Sequence, residues 1–217
     1  GSAEIDGIDC GRDPHRARRR LAYIPEQVSL YDTLSGIENL EYFTRLASEP
    51  LSEARLRDVL LRAGLQSDAH HARAGTYSKG MRQKVGIAIA MARQVKALLL
   101  DEPTSGLDPA ASVEFSRIVR RLADTGVAVL MATHDLFRAA EIASRVGVMQ
   151  AGELISEQST ADLQSTDLER HYLRAIGYGG PDDQRHRAPG ATSHVARGSR
   201  LPGRGAGAGA AAAGAAD

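Results

Sequence analysis

The sequence has no tryptophan, few other aromatic residues and a single cysteine, Cys10. A lone cysteine has no partner within the chain, which excludes a disulfide framework and predicts a reducing compartment. Lys and Arg together number 27, as do Asp and Glu, so the formal net charge is zero. A balanced charge gives no electrostatic reason to expect nucleic acid as a partner.

Long apolar runs are missing as well. The longest, such as 85–92 and 127–132, fall well short of the roughly 18 residues that a membrane-spanning helix needs. The first eleven residues are polar and acidic, so we expect no signal peptide. Any association with a membrane is therefore expected to go through another protein.

The last part of the chain, 178–217, differs from the rest in composition. It contains 9 glycines, 11 alanines and 3 prolines, and almost no bulky apolar residue. Such a segment cannot bury enough surface to offset the entropy lost on ordering. We expect a disordered tail over 178–217 and one ordered domain over 1–177.

Apolar segments of strand length alternate with segments of helical period through 1–177. The expected strands are 20–25, 97–100, 127–133 and a hairpin over 146–156 around Ala151-Gly152, and the expected helices are 37–47, 52–63, 81–94, 110–124 and 136–144. This alternation predicts an α/β domain with a largely parallel sheet.

One buried strand ends in two carboxylates, in the run Leu-Leu-Leu-Asp101-Glu102-Pro. Ligands of open α/β folds bind at the carboxyl edge of the sheet. Asp101 offers the oxygen that Mg²⁺ prefers, and Glu102 suits the polarisation of an attacking water. The run alone is explained by a helix cap as readily as by catalysis.

Three further segments accompany this run. Ser78 and Gly80 stand at the start of a helix, where a hydroxyl and backbone N–H groups make an anion site, although a serine N-cap explains them equally well. The segment Ser-Gly-Leu-Asp108 follows the carboxylates, and Thr-His134-Asp follows the next buried strand. A lone histidine at a strand end is more often structural than catalytic.

In this order and at this spacing, the four segments resemble the signature, Walker B, D-loop and H-loop motifs of the nucleotide-binding domain of ATP-binding-cassette (ABC) transporters. The segment 23–27, Tyr-Ile-Pro-Glu-Gln, resembles the family's Q-loop region. The resemblance covers roughly 1–156. It implies a partial P-loop NTPase fold with a small helical subdomain at about 30–94, and ATP and Mg²⁺ as ligands.

The resemblance also implies a role for each candidate site residue. Those on the chain's own nucleotide site are Glu102 as general base, His134 as a contact to the γ-phosphate in the transition state, Asp101 and Gln27 as Mg²⁺ ligands, and Gln27 or Glu26 as the sensor of nucleotide and membrane subunit. Those acting across a dimer interface are Ser78 and Gly80 of the signature and Asp108, and Gln83 of the signature is a further residue expected to bind the nucleotide.

Three positions depart from the family's pattern. Tyr77 stands where the signature usually has Leu, and Lys79 where it has its first Gly. Glu26 follows Pro25 where Gln is usual, so the register of the Q-loop stays open between Glu26 and Gln27. These variants resemble the exporter subgroup whose membrane partners are ABC-2 type permeases.

The phosphate-binding motif G-x-x-x-x-G-K-[ST] is not in the sequence, whose lysines are Lys79, Lys84 and Lys96. Its backbone N–H groups and lysine hold the β- and γ-phosphates. Residues 1–7 resemble the strand that follows the P-loop helix. We expect an N-terminal truncation, since a sheet without its P-loop strand exposes an unpaired edge, and we expect the chain alone to be inactive.

The leading hypothesis is the ATPase subunit of a bacterial ABC exporter, bound to a separate permease and a second copy of itself on the cytoplasmic face of the membrane. A soluble ABC ATPase acting on ribosomes or DNA is less favoured, because the insert 27–77 has no coiled-coil arm and the sequence carries no second cassette. A degenerate cassette that only binds partners has no need of Glu102 or His134. The choice of transported substrate is expected to lie in the membrane subunits.

Overall fold

Helices and strands alternate along the chain, as the sequence predicts. The structure is a computed structural model that describes residues 1–47, 50–161, 165–175 and 210–214. The helices are α1 Pro14–Arg20, α2 Gly36–Arg45, α3 Glu53–Arg62, α4 Lys79–Ala92, α5 Pro109–Asp124, α6 Leu136–Ile142 and α7 Ser165–Ala175. The strands are β1 Glu4–Ile5, β2 Ile8–Asp9, β3 Leu21–Ile24, β4 Ala97–Asp101, β5 Ala128–Ala132, β6 Arg145–Gln150, β7 Glu153–Ser159 and β8 Ala210–Gly214.

Within the described residues, six of the strands form one sheet in the order β3-β4-β5-β8-β6-β7. All neighbours are parallel except β6 and β7, which form an antiparallel hairpin. Strands β1 and β2 make a separate antiparallel pair. The prediction of an α/β fold with a mostly parallel sheet is confirmed.

Strand β8 comes from the alanine-rich end of the chain and lies between β5 and β6. This differs from the expected disorder of 178–217 at these five residues; the remainder of that segment lies outside the described residues. The difference has a physical reason, since β5 and β6 each present backbone N–H and C=O groups that a further strand can pair whatever its side chains.

Helices α2, α3 and α4 pack together at the expected helical region. Their apolar faces meet through the fully buried side chains of Leu40, Leu60 and Ile87. Serine caps explain where they begin: Ser35 forms a capping box with Glu38 at the start of α2, and the hydroxyl of Ser78 caps α4. Helix α4 also packs on β3 and α5, so it joins the helical region to the sheet.

The hairpin predicted around Ala151-Gly152 is present, and both turn residues have positive φ, +50° and +83°.

Helices α1 and α7 were not predicted. In α1 only Ala17 is buried, so its sequence shows no apolar period. Among the described residues, no helix combines the length and the apolar character that crossing a membrane requires.

Candidate functional site

The carboxyl ends of β3, β4 and β5 lie side by side and carry the predicted catalytic carboxylates. Asp101 ends β4 and pairs with Ala132 of β5. From β3, the hydroxyl of Tyr23 donates to Asp101 Oδ2 at 3.0 Å. This bond to a carboxylate raises the pKa of Tyr23 and orients the Asp101 side chain at the sheet edge.

Glu102 continues the strand ladder but has an unusual backbone. Its N–H donates to the carbonyl of Ala132 at 2.9 Å, while its φ is +42°. A non-glycine residue in this left-handed region costs about 1–3 kcal/mol, and such strain concentrates at functional sites. The strained backbone turns the carboxylate towards the end of β5.

At the end of β5, the Glu102 carboxylate accepts hydrogen bonds from two residues. Oε2 accepts from the hydroxyl of Thr133 at 3.1 Å. Oε1 accepts from the backbone N–H of His134 at 2.9 Å and lies 2.8 Å from its ring Nδ1. Because an ionised carboxylate can only accept hydrogen bonds, Nδ1 of His134 is the protonated nitrogen. Nε2 takes no part in the bond to Glu102.

The Glu102 hydrogen bond and charge raise the pKa of His134 above its ordinary value of 6.5. The His134 side chain is 72% exposed and that of Glu102 25%, so solvent limits the energy of the pair. A raised folded-state pKa means that the stabilisation is complete below the unfolded value and is lost as the pH rises through the folded value. The charged His134–Glu102 pair is therefore present at pH values below the folded-state pKa of His134.

We predict that an NMR titration of the His134 ring shows a pKa above 6.5, and that Glu102→Gln returns it towards the ordinary value. Asp135→Asn serves as the control, because the charge of Asp135 raises the pKa of His134 less than the Glu102 carboxylate does. An unchanged His134 pKa in the Glu102→Gln variant contradicts the pairing.

The signature segment lies at the start of α4. Ser78 is exposed, and its Oγ accepts the backbone N–H of Met81 at 3.3 Å. A Cβ placed on Gly80 meets Leu107 and Ala111 at 3.7 Å, an ordinary contact distance. Packing among the described residues therefore does not require glycine at this position.

The loop after β3 is held against α4. Gln83 is fully buried, and its Nε2 donates to the carbonyls of Pro25 and Glu26 at 3.3 and 3.0 Å. The carboxylate of Glu26 accepts from Ser105 at 2.9 Å and from Lys79 at 3.1 Å. These two partners, Ser105 first, lower the pKa of Glu26.

Gln27 and Asp108 are both exposed. Gln27 lines an open cavity of about 440 Å³ beside Val28 and Lys79. Asp108 caps α5 by accepting the N–H of Ala111 at 2.9 Å. The side chains of Glu26 and Gln83 thus bond to distant segments of the chain, whereas Gln27 and Asp108 are exposed, and Asp108 bonds within the first turn of its own helix.

Two of the expected ligands, Asp101 and Gln27, carry oxygens of the kind that Mg²⁺ prefers. Among the described residues no three His, Cys, Asp or Glu side chains form a metal-binding group. Mg²⁺ at phosphate sites is held by one or two protein oxygens, with water and substrate phosphates completing the shell. The carboxylate of Asp101 and the amide oxygen of Gln27 are of the right kind for that arrangement.

The family model described as ABC transporter matches residues 1–105. The uncharacterized ABC transporter ATP-binding protein YdbJ of Bacillus subtilis is 40% identical over 168 residues, which are 77% of this chain and 53% of YdbJ. Residues 1–105 of this chain therefore carry the sequence of an ABC transporter ATP-binding domain.

Other members of the family show the same extent of similarity. The daunorubicin/doxorubicin resistance ATP-binding protein DrrA of Streptomyces peucetius is 36% identical over 167 residues, 76% of this chain and 51% of DrrA. The chain thus spans about half the length of the curated relatives it matches. In fold, this ABC domain resembles the dimeric cassette MJ0796 bound to ADP and Pi, with a TM-score of 0.66 and 24% identity over 75% of each chain. An ATP-binding subunit of an ABC transporter gives a TM-score of 0.64 and 26% identity over 78% of this chain and 75% of that one.

Two contacts of this ABC domain were not predicted from its sequence, the Tyr23–Asp101 bond and the contact of Glu26 with Lys79. Tyr23 is 58% exposed between the buried neighbours Ala22 and Ile24. The sequence pointed to the Tyr23–Asp101 bond only by placing an aromatic residue on the outward face of a short strand. Glu26 and Lys79 are 53 positions apart, and no local pattern connects them.

Proposed function

We propose that this chain is part of an ATP-hydrolysing subunit that energises transport through a separate membrane permease. The observation that carries the proposal is the Glu102–His134 contact of 2.8 Å, beside Asp101 at the carboxyl edge of a parallel sheet. Loss of MgATP hydrolysis by the assembled transporter when Glu102 is replaced by Gln tests it.

The site supplies what phosphoryl transfer needs, which is mainly positioning and charge stabilisation. Thr133 and His134 fix the Glu102 carboxylate, so one of its oxygens can take a proton from an attacking water. His134 presents Nε2 to the γ-phosphate, because Nδ1 is held by Glu102. Asp101 and Gln27 are the residues that would hold Mg²⁺, which would supply positive charge to offset the charge of the nucleotide phosphates.

The signature and the D-loop serve a second cassette. Ser78 and Asp108 are exposed, at the helix N-termini of α4 and α5, where backbone N–H groups favour phosphate. Gly80 leaves room for close approach. Support for a homodimer comes from MJ0796, a cassette of the same fold solved as a dimer with ADP and Pi.

An aromatic patch made of Tyr31, Tyr42 and Phe43 supports docking of a membrane subunit. The ring centroid of Tyr31 lies 4.9 Å from that of Tyr42 and 6.0 Å from that of Phe43. Tyr31 is 47% exposed and Tyr42 is 40% exposed. Exposed aromatic groups beside an open cavity are typical of protein interfaces. Tyr31 lies between Leu30 and Asp32, which both line the Gln27 cavity, so a permease bound at the patch would lie near the loop after β3.

Several relatives are named for drug resistance, including DrrA, and this favours export through an ABC-2 type permease. The subunit then lies at the cytoplasmic face of the cell membrane, held there by the permease. A non-hydrolysing cassette is less well supported, because Thr133 and His134 hold the Glu102 carboxylate in an arrangement suited to a general base.

The 217-residue chain alone is expected not to bind a fluorescent ATP analogue in the micromolar range, because the sequence has no motif to hold the β- and γ-phosphates. Fluorescence anisotropy with the analogue and Mg²⁺ measures this, and an excess of unlabelled ATP controls for nonspecific signal. Saturable, competable binding at micromolar concentration contradicts the expectation.

A further inference from the structure

The two charged residues that depart from the family's Q-loop and signature patterns are bonded to each other. Lys79 Nζ lies 3.1 Å from Glu26 Oε1, and the hydroxyl of Ser105 donates to the same oxygen at 2.9 Å. One carboxylate therefore joins three segments: the loop after β3, the start of α4 and the turn after β4. We call this contact the Glu26 junction.

Helix α4 holds the same loop at a second point. Gln83 is one turn along α4 from Lys79, on the same face, and its amide donates to the carbonyls of Pro25 and Glu26. The backbone of the loop is thus fixed by Gln83 and its side chain by Lys79. Loop and helix are expected to move together.

The turn after β4 packs on the other side of the junction. Its hydrogen bonds run from Ser105 N–H to the Glu102 carbonyl and from Leu107 N–H to the Thr104 carbonyl, each 3.1 Å long. Gly106 has a φ of +65°, and a Cβ built there lies 3.7 Å from Lys79 Nζ. The turn leads directly into Asp108, so its position sets that of Asp108.

Charge explains why a carboxylate is needed at this point. The first turn of α4 carries no acidic residue, and the cation of Lys79 near a helix N-terminus is unfavourable with the helix dipole. Glu26, from a distant part of the sequence, compensates both the cation and the dipole. The Lys79 side chain is 29% exposed and that of Glu26 46%, so the bond is modest in energy.

We propose that Glu26 and Lys79 are positioning residues that hold the signature and the turn before Asp108 in one fixed relative arrangement. Ser78 and Asp108 then reach the nucleotide of a second cassette together, rather than as independently moving groups. This inference rests on the proposed function, in which both residues act across the dimer interface.

Hydrogen exchange on the 217-residue chain without nucleotide tests the junction. Lys79→Met is expected to raise amide exchange about twofold to fivefold, the range for a partly exposed ion pair, in both 26–30 and 104–107. Lys84→Met is the matched control, because Lys84 lies on the same helix and pairs with Glu114 at 2.7 Å, away from both loops. Lys79→Arg and the exchanged pair Glu26→Lys with Lys79→Glu are expected to keep exchange near the wild-type rate.

Equal exchange in the Lys79→Met and Lys84→Met variants overturns the proposal, as does a rise confined to one of the two loops. In the assembled transporter, Lys79→Met is expected to lower kcat for ATP hydrolysis about twofold to fivefold without raising KM, and Lys84→Met to change neither; an unchanged kcat removes the positioning role. If the wild-type assembly hydrolyses no ATP, the proposed function fails and the exchange result alone decides whether the junction exists.

Discussion

Glu102→Gln is expected to lower the rate of MgATP hydrolysis by the assembled transporter by about 10²–10⁴-fold, the usual contribution of general base catalysis. The carboxamide keeps the size of the side chain and can still accept from the backbone N–H of His134, a bond of 2.9 Å in the native chain. It cannot take a proton from water. The change therefore removes the chemistry and leaves the shape of the site. Phosphate release measured at saturating ATP gives the rate.

Glu114→Gln is the matched control for this substitution. Glu114 lies on α5 and pairs with Lys84 at 2.7 Å, and it takes no part in the site. Its variant is expected to keep a rate within about twofold of the wild type, since partly exposed ion pairs contribute little. A Glu102→Gln assembly that keeps a tenth or more of the wild-type rate, or an equal loss in both variants, rules out Glu102 as the base.

Gly36→Ala is expected to lower the free energy of unfolding by about 1–3 kcal/mol, the usual cost of overpacking a buried site. The added methyl overlaps the Tyr77 hydroxyl and lies 3.2 Å from Tyr77 Cζ and 3.3 Å from Leu65 Cδ2. Gly36 is the first residue of α2, and helix propensity by itself favours alanine by about 1 kcal/mol. A net loss therefore identifies the overlap. Urea unfolding followed by circular dichroism measures it.

Tyr77→Phe distinguishes this overlap from a general weakness of α2. In the native chain, the Tyr77 hydroxyl donates to the carbonyl of Ala69, so its removal costs about 1 kcal/mol. In the Gly36→Ala background the same change removes the overlapping atom, and it is expected to restore stability. Additive losses in the double variant contradict the fit of Tyr77 against Gly36.

The same contact explains why the signature of this chain begins with tyrosine. Tyr77 is 7% exposed, and its ring reaches from the signature into the space above Gly36. A leucine has no group that can donate to the Ala69 carbonyl. Tyr77 thus attaches the signature segment to the helical region, whereas Lys79 forms the Glu26 junction.

The main elements could be predicted because each leaves a local pattern in the sequence. Strand β4 is an apolar run that ends at Asp101, and α5 begins with the Asp108 cap and a proline. The candidate residues Glu102 and His134 were found from their motifs, and the structure places them 2.8 Å apart.

The remaining features depend on contacts between distant segments. The positive φ of Glu102 arises where β4 turns towards β5, and no local sequence signal specifies it. The partner of Glu26 is 53 positions away. Strand β8 pairs through its backbone with β5 and β6, so its alanine-rich composition predicted disorder instead. Sequence periodicity indicates which side chains of a single helix or strand are buried. It does not indicate which distant segments of the chain contact each other.

The nucleotide that the Glu102→Gln assembly retains shows whether Glu102 activates water or only helps to hold the nucleotide. The assembly is incubated with MgATP, separated from free nucleotide and extracted. We predict that it retains ATP in an amount similar to the nucleotide bound by the wild type, which is expected to contain ADP. ADP in the variant at the wild-type level, or no bound nucleotide at all, contradicts the assignment of Glu102 as the general base.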